Sequence, residues 1–281
     1  MKLASEPACS NCGAHLTGRW CSQCGQKRIE DNDRRLGHLL GQFAHELFHI
    51  EGKLPRTLGT LLFRPGGLSR AYLAGQRQRY ISPVGLFLII NLVYFIAPPM
   101  TDFNMSLHEQ IHMQPYSGLI EPLVQNRLES RGIELEGYAS QYNQASERIA
   151  KLLIILHLPL LALVLLAAFP RRPLYYAEHF VVATHLFSFL LVITLLAAAI
   201  RLTLWFTGIT LFDAQWTTMV RLTWNLTPII GIAWWLLAIR NVYEISWART
   251  LAVVLIWLVG VIVSHMLVYR PVQFLVVFAM T

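Results

Sequence analysis

Charge is scarce in this chain. Asp, Glu, Lys and Arg make up 14% of its 281 residues, while 55% are hydrophobic; a soluble domain carries roughly a quarter charged residues. An ordinary soluble globular protein is thereby excluded, and because the apolar residues fall in long runs, an all-α, multi-span membrane protein is expected. Cysteine is missing beyond Cys24, so no disulfide framework ties the body of the chain. The long apolar runs hold no Asp or Glu, which removes the carboxylate relays of proton pumps. No acidic residue stands between Gly52 and Thr101. The opening MKLASEPACS has no apolar centre, so no cleavable signal peptide is expected.

What the chain does have begins with its four cysteines. Cys9-Ser10-Asn11-Cys12-Gly13 and Cys21-Ser22-Gln23-Cys24-Gly25 are matching CxxCG units. Each brings two thiolates to one ion, and the glycine tolerates the backbone that turns amides toward sulfur. Cys9, Cys12, Cys21 and Cys24 are therefore expected to hold a structural Zn²⁺ in a closed tetrahedral site, with no position open for catalysis. Zinc would supply much of the folding energy of so small a head, in which Leu16 and Trp20 are the only sizeable apolar packing residues.

Three regions follow from the patterning: a zinc ribbon over 1–30, an amphipathic and basic juxtamembrane helical block over 36–80, and a transmembrane domain over 81–281. In the block, apolar residues recur every three or four positions from Leu36 to Leu61, with His38, His45 and His49 on the opposite face. Pro55 is expected to break the helix there, Pro65-Gly66-Gly67 to turn, and Leu68–Tyr80 to form a further helix. Five spans are expected near 81–97, 152–169, 179–200, 222–239 and 251–268. Between the first two lies an outer loop, 98–150, with helical stretches at Val124–Leu128 and Tyr142–Ala150. The closing PVQFLVVFAMT is too short to span and is expected to dip into the interface. With the N-terminus inside, basic residues outnumber acidic ones two to one on the inner side and the signs balance outside. The positive-inside rule thus gives a cytoplasmic N-terminus and an outer C-terminus. Arg64, Arg70, Arg77 and Arg79 are then placed for anionic headgroups of the bilayer or for a partner.

His45-Glu46-Leu47-Phe48-His49 fits HExxH, in which two histidines one helical turn apart bind zinc and the glutamate is general base. A catalytic site also needs a third protein ligand. Pro55 stands where a metzincin histidine would be, Glu51 is too close in sequence to serve as the third ligand, and no other downstream carboxylate occurs before Asp102. A second match, His108-Glu109-Gln110-Ile111-His112, falls in the outer loop. A membrane metallopeptidase using His45, Glu46 and His49 is therefore the alternative reading, not the leading one. A small-solute transporter is a further alternative, resting on His157, His185 and His265 in or near the spans; helix-packing hydrogen bonds are the plainer account. The head offers few aromatics for stacking bases, so a cytosolic protein partner is expected in preference to nucleic acid. The sequence leaves a homo-oligomer open.

The ordered set CxxCG–CxxCGQ, HELFH-x-x-G, a Thr-Leu pair, RPG, Tyr72-Leu73-x-Gly75-x-Arg77 and Tyr80-x-x-Pro83 resembles the bacterial family catalogued as domain of unknown function three-six-six-seven. These are multi-pass membrane proteins with an N-terminal zinc ribbon. The resemblance runs from Cys9 to about Phe95 and implies the ribbon, the basic block and the membrane location; no established activity comes with it. The residues and the resemblance together lead to the expectation of a non-enzymatic scaffold or sensor whose ribbon engages a cytosolic partner.

Overall fold

The computed structural model describes residues 8–28, 52–96, 103–170, 174–207 and 216–281. After a cysteine-rich head with isolated bridges come α1 (Leu54–Phe63), α2 (Gly67–Leu73), α3 (Pro83–Ile96), α4 (Leu107–His112), α5 (Ser117–Arg131) and α6 (Leu135–Leu153). A 3₁₀ turn, Ile154–Leu156, carries α6 into α7 (His157–Ala168), and α8 (Tyr176–Thr207), α9 (Trp216–Tyr243) and α10 (Trp247–Val263) follow. A π turn, Ser264–Tyr269, leads from α10 into α11 (Arg270–Met280).

Among the described residues, four stretches are long and apolar enough to cross a membrane: Leu135–Ala168, Tyr176–Leu204, Thr223–Tyr243 and Trp247–Met280. They overlap the last four expected spans to within a residue at the ends. The first expected span is α3, with 14 residues; at 1.5 Å per residue it is about 21 Å long, against about 30 Å of hydrocarbon.

The chain divides into two compact units, Met1–Ala97 with Leu161–Leu258, and Pro98–Leu160 with Val259–Thr281. In the first, α3, α8 and α9 pack side by side. Phe87 meets Phe187, Phe189 stacks on Trp234 with ring centroids 3.9 Å apart, and Trp235 Nε1–H donates to the Leu186 carbonyl at 3.1 Å. The short helices α1 and α2 lie against this layer. Pro55 stands at the start of α1, where its missing N–H costs nothing; the helix expected before it lies outside the described residues. The turn at Pro65-Gly66-Gly67 is as expected, with Gly66 left-handed at φ 75°. The helix after it stops at Leu73, well short of Tyr80, because Gly75 at φ 90° unwinds it.

The second unit corrects two expectations. Pro98–Ala150, read as a loop with two helical stretches, supplies three helices with their own core. Leu107 and Ile111 of α4, Ile120 and Val124 of α5, and Tyr138 and Tyr142 of α6 are buried together with Phe274 and Val277 of α11. The C-terminal segment, expected to stand apart as a short stretch, is a helix continuous with α10 through the π turn and contributes Phe274 and Val277 to this core. Pro271 is tolerated within Trp247–Met280 because the π turn ahead of it takes up the lost i→i−4 bond.

Candidate metal centre and its platform

The head is two copies of one turn. In the first, the Cys9 amide donates to the Ala14 carbonyl (2.7 Å) and the Gly13 amide to the Cys9 carbonyl (2.8 Å). In the second, Cys21 N–H donates to Gln26 O and Gly25 N–H to Cys21 O, both at 2.9 Å. Gly13 and Gly25 take φ 78° and 71°, a conformation glycine adopts without steric cost. The turns face each other, with Cys9 Sγ 3.6 Å from Cys24 Sγ and Cys12 Sγ 3.6 Å from Cys21 Sγ. All four sulfurs lie within 4.8 Å of one another, and no other group of three or more His, Cys, Asp or Glu among the described residues is placed to hold a metal ion. Four thiolates at about 2.3 Å from a tetrahedral ion sit about 3.8 Å apart, so the arrangement fits such an ion.

The thiols are uneven without metal. Burial raises the Cys24 thiol, but the Asn11 side chain, the Gln26 amide and the neighbouring thiols outweigh it and bring it down to about 6. Cys12 receives the Ala14 amide, which favours its thiolate, yet its sulfur neighbours leave it pushed up to about 12. One negative charge is welcome in this cluster and more are not; a cation removes the conflict. Leu16 is buried between Cys9 and Cys21, whereas Trp20, expected to help fill the head, is 61% exposed. It lies at the Trp20–Lys27 bridge, on the rim.

The head is seated on the segment that follows α2. Ser10 Oγ–H donates to the Gly75 carbonyl at 3.2 Å, and the Gln78 amide donates to Gln26 Oε1 at 3.1 Å. Gln26 is buried and also donates to the Lys27 carbonyl. This seat was missed in sequence, although the glutamine after the second CxxCG was part of the motif noted there. The platform is in turn fixed to long helices. Asn241 Nδ2 donates to the Pro65 carbonyl (3.0 Å), Trp234 Nε1 to the Leu62 carbonyl (3.2 Å), and Ser69 Oγ meets His185 Nδ1 at 2.9 Å with both side chains buried. Gly66 presses on α9 so closely that an added Cβ would sit 2.7 Å from the Ala238 carbonyl oxygen. Thr57 Oγ accepts from the Ile81 amide and donates to the Lys53 carbonyl, joining α1 to the start of α3.

The four arginines expected at headgroups or a partner are spread over this platform. Arg64, Arg70 and Arg79 are exposed and Arg77 half-buried. Arg70 reaches Glu244 at 3.5 Å with both side chains in solvent, a pair worth little to stability. Arg77 lies over the Tyr72 ring and Arg79 over the Tyr80 ring.

His45, Glu46 and His49 lie outside the described residues. The second HExxH match is described and is spoken for. Glu109 closes a capping box: its carboxylate accepts from the Ser106 amide and hydroxyl at 2.8 Å, and its own amide donates to Ser106 Oγ. A carboxylate fixed at a helix start does not face a metal-bound water, and the Ser-x-x-Glu spacing signalled this in sequence. His108 and His112 are exposed. Of the histidines in the apolar runs, His185 serves Ser69. His157 and His265 meet each other, Nε2 to Nδ1 at 3.4 Å, beside Phe103 and Tyr269. His179, not singled out in sequence, bonds the Tyr243 hydroxyl at 2.8 Å.

These features define a class: an all-helical protein with membrane-length apolar helices and an N-terminal four-cysteine centre able to hold a metal ion. More particularly, residues 51–95 match the family model described as Protein of unknown function (DUF3667), the family that the sequence resembles. The matched stretch takes in α1, α2, the seat of the head and nearly all of α3, and leaves the cysteines outside it. No curated protein and no solved structure matches the chain.

Proposed function

We propose that this is a bacterial inner-membrane protein acting as a non-enzymatic scaffold or sensor, whose zinc-loaded ribbon engages a cytosolic protein. One observation carries the reading: the cysteine head is hydrogen-bonded to the platform, and the platform to buried His185 of α8 and half-buried Asn241 of α9. A closed four-thiolate zinc has no position for substrate, so its use is to hold a surface rigid. Exposed Trp20 on that surface is the natural anchor, since aromatic residues dominate interface energetics. Arg64, Arg70 and Arg79 stand at the anionic headgroups of the cytoplasmic leaflet, each contributing about 1 kcal/mol near the surface.

The test is zinc stoichiometry combined with sidedness. Detergent-purified wild type is expected to hold one zinc per chain, lost in Cys9→Ser/Cys12→Ser. In the Trp20→Cys variant, a membrane-impermeant maleimide should label position 20 in inside-out vesicles and not in right-side-out ones. A second zinc that survives loss of the cysteines and disappears in His45→Ala would overturn the reading in favour of a metallopeptidase. Labelling from the outer side would overturn the cytosolic partner.

A further inference from the structure

Between the head and the platform is a cleft of about 260 Å³ that borders the metal centre only at Cys9. Its lining carries three cations from two separate segments, Lys27 and Arg28 from the head and Arg77 from the loop after α2, against the single carboxylate of Glu178. That carboxylate accepts the Tyr175 amide at 2.9 Å, so part of its charge is spent on the start of α8. The opposite wall is apolar: Tyr72, Ala177 and Val181 form a buried cluster. A site with cations on one side and an apolar wall on the other suits an anion attached to a hydrocarbon body. Its position narrows the choice further. Ala177, Glu178 and Val181 occupy the first two turns of the membrane-length stretch Tyr176–Leu204, the level at which a bilayer places its phosphates. A volume just below the usual range of about 300–1,000 Å³ for drug-sized ligands fits a headgroup.

We propose that this cleft binds the phosphodiester headgroup of one anionic glycerophospholipid, with Lys27 and Arg28 on one side of the phosphate and Arg77 on the other. The bound lipid would then bridge the metal-bearing head to the platform, making the hold of the head on the membrane domain depend on lipid composition. The proposal rests on the reading that the ribbon lies at a membrane surface, though it needs no protein partner.

The experiment uses the full-length, zinc-loaded chain in nanodiscs of phosphatidylcholine, with or without phosphatidylglycerol. The rate of zinc removal by a chromogenic chelator reports on the head, and native mass spectrometry counts the retained lipids. Phosphatidylglycerol should slow zinc removal several-fold in wild type and leave one tightly held lipid. Arg77→Gln and Lys27→Gln/Arg28→Gln should lose both effects while keeping the wild-type rate in phosphatidylcholine alone, and Arg77→Lys should retain most of them. Equal protection by inorganic phosphate in phosphatidylcholine discs would overturn the lipid assignment and make the site one for a free phosphorylated solute. Faster zinc loss in Arg77→Gln whatever the lipid would also overturn it, since the cations would then only offset the negative charge of the tetrathiolate centre. Failure of the scaffold reading is seen separately, in the sidedness of labelling at position 20, which this assay does not use.

Discussion

Replacing Gly66 by alanine should be among the most damaging single-methyl changes in the protein. Gly66 sits at φ 75°, where an L-residue with a Cβ pays about 1–2 kcal/mol. The new methyl would also lie 2.7 Å from the Ala238 carbonyl oxygen and 3.0 Å from Val242 Cγ2. A carbonyl held in the α9 ladder cannot swing aside as a flexible side chain would, so the turn must retreat, at an overpacking cost of about 1–3 kcal/mol. Retreat pulls the Pro65 carbonyl away from Asn241, forfeiting roughly another 1 kcal/mol. The total is about 3–6 kcal/mol. Two neighbouring glycines are built-in controls. Gly59 is inside α1 with nothing within 4 Å of its Cβ position, so Gly59→Ala should gain up to about 1 kcal/mol from helix propensity. Gly67 would meet the Arg64 side chain at 3.0 Å and Thr60 Cγ2 at 3.7 Å, with no backbone in the way, and should fall between the two. The assay is thermal unfolding of the detergent-solubilised chain, followed by size-exclusion of the heated samples. The expected order of melting temperature is Gly59→Ala at or above wild type, then Gly67→Ala, then Gly66→Ala. If Gly66→Ala melted with wild type, the close approach of the platform to α9 would be refuted, and the linkage from metal centre to spans with it.

Ser69→Ala leaves the buried His185 ring without its hydroxyl partner and should cost about 1–3 kcal/mol; adding His185→Phe should recover part of the loss in the same melting assay, as a double-mutant cycle tests. In the metal-stripped protein, Cys24 with its pKa near 6 is already thiolate at neutral pH, while Cys12 near 12 stays protonated. Iodoacetamide mapped by peptide mass should therefore mark Cys24 first and Cys12 last at pH 7, and lowering the pH through 6 should abolish the early Cys24 reaction. Ser106→Ala removes the cap of α4 and should destabilise the second unit by about 1 kcal/mol, read by amide hydrogen exchange over α4. It should leave metal content unchanged, and a lost zinc would show that the second HExxH is more than a capped helix.

The long helices were legible because apolar stretches of bilayer length with few polar interruptions admit few other structures, and the cysteine centre because paired CxxCG turns converge on one ion. What escaped the sequence depends on partners distant along the chain. The apolar positions of α5 and α6 are diluted among polar ones, so Val124 and Tyr142 read only as short helical stretches within a loop, and Tyr138 not at all, until Phe274 and Val277 arrive from the C-terminus to complete their core. Trp20 read as packing because a bulky ring in a small domain usually packs; here Leu16 and the cysteines already fill the space. The His157–His265 meeting joins residues more than a hundred positions apart, and no local pattern encodes it. The capping box at Ser106 was readable, but the overlapping HExxH drew attention to its histidines instead.

The stretch matched by the family model has a physical coherence that its individual motifs conceal. Thr57 ties α1 to the start of α3, Gly66 allows the chain to touch the backbone of α9, and Ser69 reaches a histidine inside α8. Gly75 ends α2 and offers its carbonyl to the cysteine head. Each is small or short, and each sits where backbone meets backbone or where a buried polar group needs a single partner. Larger residues at these points would separate layers that are now joined, and apolar ones would strand the partner at a cost of about 1–3 kcal/mol. Such a stretch is a joint, and a joint is needed only if what happens at one end matters at the other. The four-cysteine head at one end and the long apolar helices at the other are thus joined through this one stretch. On the proposed reading, a binding event at the head would reach the long helices through Gly75, Ser69 and Gly66, and directly through the Ala177, Glu178 and Val181 wall of the cleft.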